Sequence, residues 1–329
     1  MSAFTFNDLS KLPQPDVVKN YTFEQLWQIR KDQFMGRQPL LLDEDQKPVI
    51  LPTKYIEDET GNYYRVEADP NRELYYLELE SDPIVRILQA DVYQEMHLHQ
   101  RIDEAALAIM PAYATGNDLE QIAARYGVTR LIIVEATLSD PAVLESDDAL
   151  RRRMILSMEA RSTAGPEGEY VYHALSADGL VKDAYAHSPN PTEVVVTILS
   201  HEGNGQATQE LIDIVYDALN EKTTRPMGDR LTVQSAQIIE YQLNAELIFY
   251  RGPSHTPTLQ SVDQAIADYR KQAERIGHSI TDSGIKSALH QQGVYRAVVA
   301  SPDLPVVVNT QQAAFCTAIN ITDGGNVDE

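Results

Sequence analysis

The most regular period in this chain is two. In "IEYQLNAELIFY", Ile239, Tyr241, Leu243, Ala245, Leu247 and Phe249 alternate with Glu240, Gln242, Asn244 and Glu246. Successive strand side chains point to opposite faces, so this alternation predicts a strand with one apolar and one polar face. A helical period follows in "SVDQAIADYRKQAERIG", where Val262, Ala265, Ile266, Tyr269, Ala273 and Ile276 share a face. Ser261 and Gln264 make a capping-box pattern at its start. A further helix, "SGIKSALHQQG", ends at Gly293. "VYRAVVA", "PVVVN" and "FCTAINI" read as strands that complete a sheet, and the tail "TDGGNVDE" reads as disordered.

The middle of the chain has the same mixture. "EYVYHALSA" predicts a helix with Tyr170, Val171, Ala174 and Leu175 on its apolar face. "LVKDAYAH" and "EVVVTILS" read as strands joined by the turn "SPNP". "TQELIDIVYDALNEK" closes the unit as a helix that buries Leu211, Ile214, Val215, Ala218 and Leu219. Upstream, the pattern is helical. A long helix runs through "SDPIVRILQADVYQEMHLHQRIDEAALAIM", with Asp82 as cap, Pro83 in the first turn, and Ile84, Ile87, Leu88, Leu98, Ile102 and Ala105 at helical spacing. "NDLEQIAARYG" stops at Gly127, and "RLIIVEA" reads as a buried strand. "DDALRRRMILSMEA" is amphipathic through Leu150, Met154, Ile155 and Met158.

Nearer the start, "YTFEQLWQIRKDQFMG" predicts a short helix with a Thr22/Gln25 capping box and Gly36 as C-terminal cap. Phe23, Leu26, Trp27 and Phe34 fall on one face. Two readings stand, a core helix or an arm that docks on a partner subunit. Pro13 and Pro15 keep the preceding residues extended. "PVILPTKYIEDETGNYYRVEADPNRE" reads as a hairpin turning at Thr60–Asn62. The resulting class is α+β: an N-terminal helical region, then two α+β domains with antiparallel or mixed sheets. The predicted boundaries are 1–36 for the arm and docking helix, 37–72 for a hairpin insertion, 73–160 for the helical region, 161–230 for the middle domain, 231–321 for the C-terminal domain and 322–329 for the tail.

Composition narrows the function. Acidic residues number 49 against 27 basic ones, a formal net charge of −22 over 329 residues. That field repels phosphate backbones, so nucleic acid is not an expected partner. No run of about 18 apolar residues occurs, so no membrane span is expected. The start carries no basic-then-apolar signal pattern, and folding in a cytoplasm is expected. The single cysteine, Cys316, alternates with apolar neighbours and reads as a buried strand thiol.

Candidate chemistry is sparse. Ser176, His173 and Asp178 lie close in sequence, but no G-x-S-x-G elbow accompanies them. His97 and His99 point to different sides of their helix. His173, His187 and His201 fall on a helix, a strand end and a loop. "HEGNG" lacks the order of a phosphate loop. No catalytic, cofactor-binding or metal-binding residue is therefore assigned, and no enzyme activity is expected. The candidate interface residues are Phe23, Leu26, Trp27 and Phe34 on the first helix, with Ile248 and Tyr250 on the outer face of the alternating strand.

Three long blocks carry a resemblance. "RIDEAALAIMPAYATGNDLEQIAARYGV", "GPEGEYVYHALSADGLVKDAYAHSPNPTEVVVTILS" and "RPMGDRLTVQSAQIIEYQLNAELIFY" resemble the baseplate assembly protein J family of P2-like contractile phage tails and R-type bacteriocins, over about Leu74 to Ile321. The hairpin region, from about Arg37 to Asn71, looks like an insertion relative to that family. The resemblance implies a structural wedge around a central hub and spike, without turnover or cofactor, located in the tail baseplate and assembled in the bacterial host cytoplasm. It implies a second copy of the chain, tail protein I, and other wedge, hub and sheath proteins as partners, with ring rearrangement passing a signal for contraction. A tail-associated enzyme of unrecognised type and a soluble oligomeric binding module are the competing classes.

Overall fold

A computed structural model describes residues 13, 21–36, 41–42, 48–49, 55–57, 63–65, 83–137, 139–161, 166–221, 224–226, 228–252 and 255–327. They fall into two compact units, one over 9–114 and one that includes 115–329.

In the first unit, α1 (Phe23–Gly36) opens with the reciprocal cap that its sequence predicts. The Gln25 N–H donates to Thr22 Oγ1 at 3.3 Å, and the Thr22 N–H donates to Gln25 Oε1 at 3.0 Å. Two short hairpins follow, β1 (Leu41–Leu42) with β2 (Pro48–Val49) and β3 (Tyr55–Glu57) with β4 (Tyr63–Arg65). The second brackets the anticipated turn at Thr60–Asn62, which lies outside the described residues, as does the proposed cap Asp82. Pro83 does stand in the first turn of the 26-residue α2 (Pro83–Ala108).

The second unit begins with α3 (Gly116–Arg125), closed by Gly127 at φ +76°, where a side chain would be strained. β5 (Ile132–Val134) pairs antiparallel with β6 (Val143–Leu144). "RLIIVEA" was expected to be a buried strand. It is instead an exposed two-stranded ribbon, because among the described residues no sheet or helix covers the side that carries Ile132, Val134, Val143 and Leu144. α4 (Asp147–Glu159) follows, with Ser146 Oγ accepting the Ala149 N–H. Its buried face holds Leu150, Met154 and Leu156 but also Arg151 and Arg153, while Met158 is exposed.

Two mixed sheets complete the unit. α5 (Glu167–Ala177), β7 (Val181–His187), β8 (Glu193–Ser200), α6 (Gln209–Leu219) and β9 (Arg230–Ser235) form the central layer. β8 is its middle strand, antiparallel to β7 and parallel to β9, so α6 is the crossover that a parallel connection needs. Ala174, Val196, Ile198, Leu211, Val215 and Leu219 fill the core between sheet and helices. β9 corrects the boundary at 230: residues 230–235 extend the central sheet instead of opening the next domain. Likewise α4 packs on α5, so residues 147–159 join the central layer and not a separate helical region.

The alternating stretch is β10 (Gln237–Phe249), the middle strand of a sheet with antiparallel β11 (Val294–Ser301) and parallel β12 (Gln312–Asn326). Tyr241, Leu243, Ala245, Leu247 and Phe249 are buried beneath α7 (Thr256–Ala273) and α8 (Asp282–Leu289). Burying a Leu or Phe stabilises by about 1.5–3 kcal/mol, which explains why this face selects its partner helices. α7 starts five residues before the Ser261/Gln264 pattern, with Pro257 in its first turn. The two residues are interior, and Ser261 Oγ donates to the Pro257 carbonyl. "PVVVN" contributes only a bridge, Val306 to Ile280. The tail expectation fails for residues 322–326, which continue β12 because β10 pairs with them as far as Asn326.

Candidate assembly surfaces

Two surfaces carry the predicted contact residues. On the first unit, α1 lies against α2. Phe23 meets Tyr93 at 4.9 Å between ring centroids, and Arg30 pairs with Glu95 at 2.8 Å. Leu26 is 2% exposed. This corrects its assignment as an interface residue: its side chain is consumed inside the chain. Trp27 is half-buried beneath Lys31, 5.9 Å from the ring centroid, and Phe23 is half-buried too. The side chain of Phe34 lies outside the described residues.

α2 has a second apolar face. Ile87, Leu98 and Ile102 are 63%, 63% and 51% exposed, and Ile109, in the turn just after the helix, is 75% exposed. At about 100° per residue the three helical positions fall in one narrow stripe, roughly 120° around the helix from the buried Val85 and Val92. Leu98, Ile102 and Ala105 follow the four–three spacing of a coiled-coil seam. Asp91 interrupts the stripe and is exposed.

On the second unit, the outer face of β10 is polar at its centre and apolar at its end. Asn320 Nδ2 donates to Asn244 Oδ1 at 2.8 Å, and Asn204 Nδ2 donates to Glu240 Oε1 at 3.2 Å. Ile248, opposite Arg296, is half-buried. Tyr250 is 59% exposed and edge-on to Tyr295, with centroids 5.4 Å apart.

The residues weighed for chemistry are placed apart. Ser176 Oγ accepts from Arg153 Nη1 at 3.2 Å, and Asp178 Oδ1 accepts the Leu180 N–H. Neither meets His173, whose pKa is pushed down by burial. Burial holds the Cys316 thiol above its ordinary range, beside the Ala318 carbonyl. Among the described residues no group of three or more His, Cys, Asp or Glu could hold a metal ion, and no helix is long and apolar enough to cross a membrane.

Sequence reasoning missed the polar framework that joins the layers. Arg153 Nη2 reaches Glu145 at 2.6 Å with both side chains buried, and also donates to the Thr129 carbonyl. Arg152 reaches Asp183 at 2.7 Å. The visible signal was the run "RRR" inside an otherwise apolar helix face, where at least one arginine must be buried and must therefore find a partner.

Comparison with known proteins adds to this geometry. Three family models match: Baseplate J-like N-terminal domain at residues 80–137, Baseplate J-like central domain at 162–235, and Baseplate J-like protein C-terminal domain at 241–322. Residues 37–72 lie outside all three. Baseplate protein J of Escherichia phage P2 is 40% identical over 323 residues, covering 97% of this chain and 98% of that protein. Among solved structures, a chain in the six-fold symmetrised cryo-EM structure of the anti-feeding prophage baseplate matches at 14% identity and a TM-score of 0.37, covering 58% of this chain and 47% of that one.

Proposed function

Since the chain belongs to the baseplate J-like family, we propose that it is a structural wedge component of a contractile-tail baseplate, built to join other subunits and not to turn over a substrate. The observation that supports the contact role best is the exposed stripe Ile87, Leu98 and Ile102 on α2, with the exposed Ile109 just after its end. Apolar side chains in register along several turns are the form an amphipathic helix takes when a partner helix covers it. The occupants this reading names are helical segments of a second copy and of tail protein I. Phe23 and Trp27 on α1 offer a second patch on the same unit, while Ile248 and Tyr250 offer a separate surface toward a neighbouring wedge. Repetition around a ring raises the effective concentration at each such contact. The hub and spike on the inside and the sheath above are the further partners of this reading, and the assembled baseplate is its location.

The test is a double substitution, Leu98→Glu with Ile102→Glu. Both side chains face solvent in the isolated chain, so its circular dichroism should be unchanged. Baseplates should be absent from electron micrographs of the producing strain, and the other wedge subunits should no longer co-purify with the variant. Normal particles with the variant in every copy would sink the proposal.

A further inference from the structure

One cleft in the second unit has a charge opposite to that of the whole molecule. It has a volume of about 530 Å³ and lies between the β5–β6 ribbon, α4, β7 and the end of α7. Arg152, Arg153, Lys182, Lys271 and Arg275 line it, against Glu145 and Asp148. Three of the cations are engaged: Arg152 with Asp183, Arg153 with Glu145, and Lys182 with Glu274 at 2.9 Å. Glu274 is already shared with Arg270 at 3.0 Å, so one carboxylate faces two cations there. Lys271 has Asp268 only at 3.9 Å, and among the described residues no carboxylate pairs with Arg275. The cleft thus holds surplus positive charge in a chain of net charge −22.

We propose that this cleft captures an acidic peptide segment of a neighbouring protein subunit. Three features favour a peptide over a simple anion. The cations come from three separate elements and so space their charges along the cleft, as a run of carboxylates would. Leu131, Ile133, Leu175 and Val181 supply apolar wall between them, which suits the methylenes of Glu side chains. His201, also in the lining, is held below its ordinary pKa by burial and by Lys182; a neutral ring can donate one hydrogen bond to a carboxylate or carbonyl oxygen. The ribbon that forms one wall is fixed close to the turn before β7, since a Cβ on Gly179 would fall 2.1 Å from the Ile132 carbonyl oxygen. The cleft is therefore formed before any partner arrives.

This inference does not rest on the baseplate reading, because binding is measured on the isolated full-length chain. The probe is a fluorescently labelled hexaglutamate peptide followed by anisotropy at low salt, with hexalysine and inorganic phosphate as comparisons. Hexaglutamate should bind saturably and hexalysine should not. Lys271→Glu with Arg275→Glu, both at exposed positions, should weaken binding by at least about tenfold while leaving the melting temperature unchanged, since interface charges act through complementarity and 1.4 kcal/mol corresponds to that factor. Phosphate should compete no better than chloride at equal ionic strength. Absence of saturable binding, binding indifferent to the charge reversal, or displacement of the peptide by millimolar phosphate would each overturn the proposal.

Discussion

The carboxylate of Asp183 accepts the backbone N–H of Ile276 at 3.0 Å, across 93 positions of sequence. Asp183 lies on β7 of the central sheet and is 4% exposed; Ile276 follows α7 of the C-terminal layer. The other carboxylate oxygen takes Arg152 Nη1 at 2.7 Å and the Ala184 N–H at 3.0 Å. One buried side chain therefore ties a helix, a strand and the neighbouring layer together. Leu199, Ala236 and Ala313 form a small apolar seam at the same junction, with Ile238 and Ile276 against it.

Asp183→Asn should loosen this junction without dissolving either core. The charge opposite Arg152 is lost and only one oxygen remains, which costs about 2–3 kcal/mol when the partner stays partly buried. Amide hydrogen exchange checks it: protection at Ile276 should fall while Leu247, deep in the C-terminal sheet, keeps its own. Unchanged protection at Ile276 would show that the seam alone holds the layers.

Leu26→Ala should release α1 from α2. The lost transfer energy and the cavity together cost about 2–5 kcal/mol, more than a short helix pair can spare. Trp27, the chain's single tryptophan, reports the change. Its emission should shift to the red, and the melting transition of the unit that includes residues 115–329 should stay where it was. A blue or unshifted emission would mean that α1 is held by something other than Leu26.

Tyr250→Lys should leave the isolated chain folded and block joining through the outer face of β10. The substitution removes the edge-on contact with Tyr295, worth about 0.5–1.5 kcal/mol, so a small fall in melting temperature is expected. Ring closure, scored by electron microscopy with the variant in every copy, should fail. Normal rings would exclude this face as a joining surface.

The end of β12 should respond to pH. His255 stacks on Phe249, and its two ring nitrogens face two acceptors, Asp323 Oδ2 at 2.8 Å and Asn326 Oδ1 at 2.7 Å. Both bonds form together when the ring is an imidazolium. The Asp323 hydrogen bond accordingly raises the His255 pKa, and His255 lowers that of Asp323. A raised histidine pKa gives stability that is complete below the unfolded value, about 6.5, and is lost as pH rises through the folded value. The depressed Asp323 gives stability that is present above its unfolded value and lost as pH falls through its folded value. The clip should thus be tightest between the two. Protection of the Val327 N–H, which donates to the Phe249 carbonyl, should drop at mildly alkaline pH after correction for intrinsic exchange, and His255→Phe should abolish that dependence.

Much of this architecture is already determined by local pattern. The alternation from Ile239 to Phe249, the Thr22/Gln25 cap and the stop at Gly127 are decided by neighbours a few residues apart, and each element formed where its period placed it. The α+β class follows from those elements, and the long quoted blocks carried the family. Tertiary structure decided what depends on distant partners. β9 joined the central sheet because β8 lay parallel beside it, not because of anything in "RLTVQS". Residues 322–326 became strand because β10 extends far enough to pair with them. Ile132 and Val134 stayed exposed because none of the described elements folded over that side of the ribbon, although their composition is that of a buried strand. Arg152 and Asp183 stand 31 residues apart, and Asp183 and Ile276 stand 93 apart. A buried charge states that it needs a partner, but only the folded chain, by bringing a particular strand beside a particular helix, determines which one it finds.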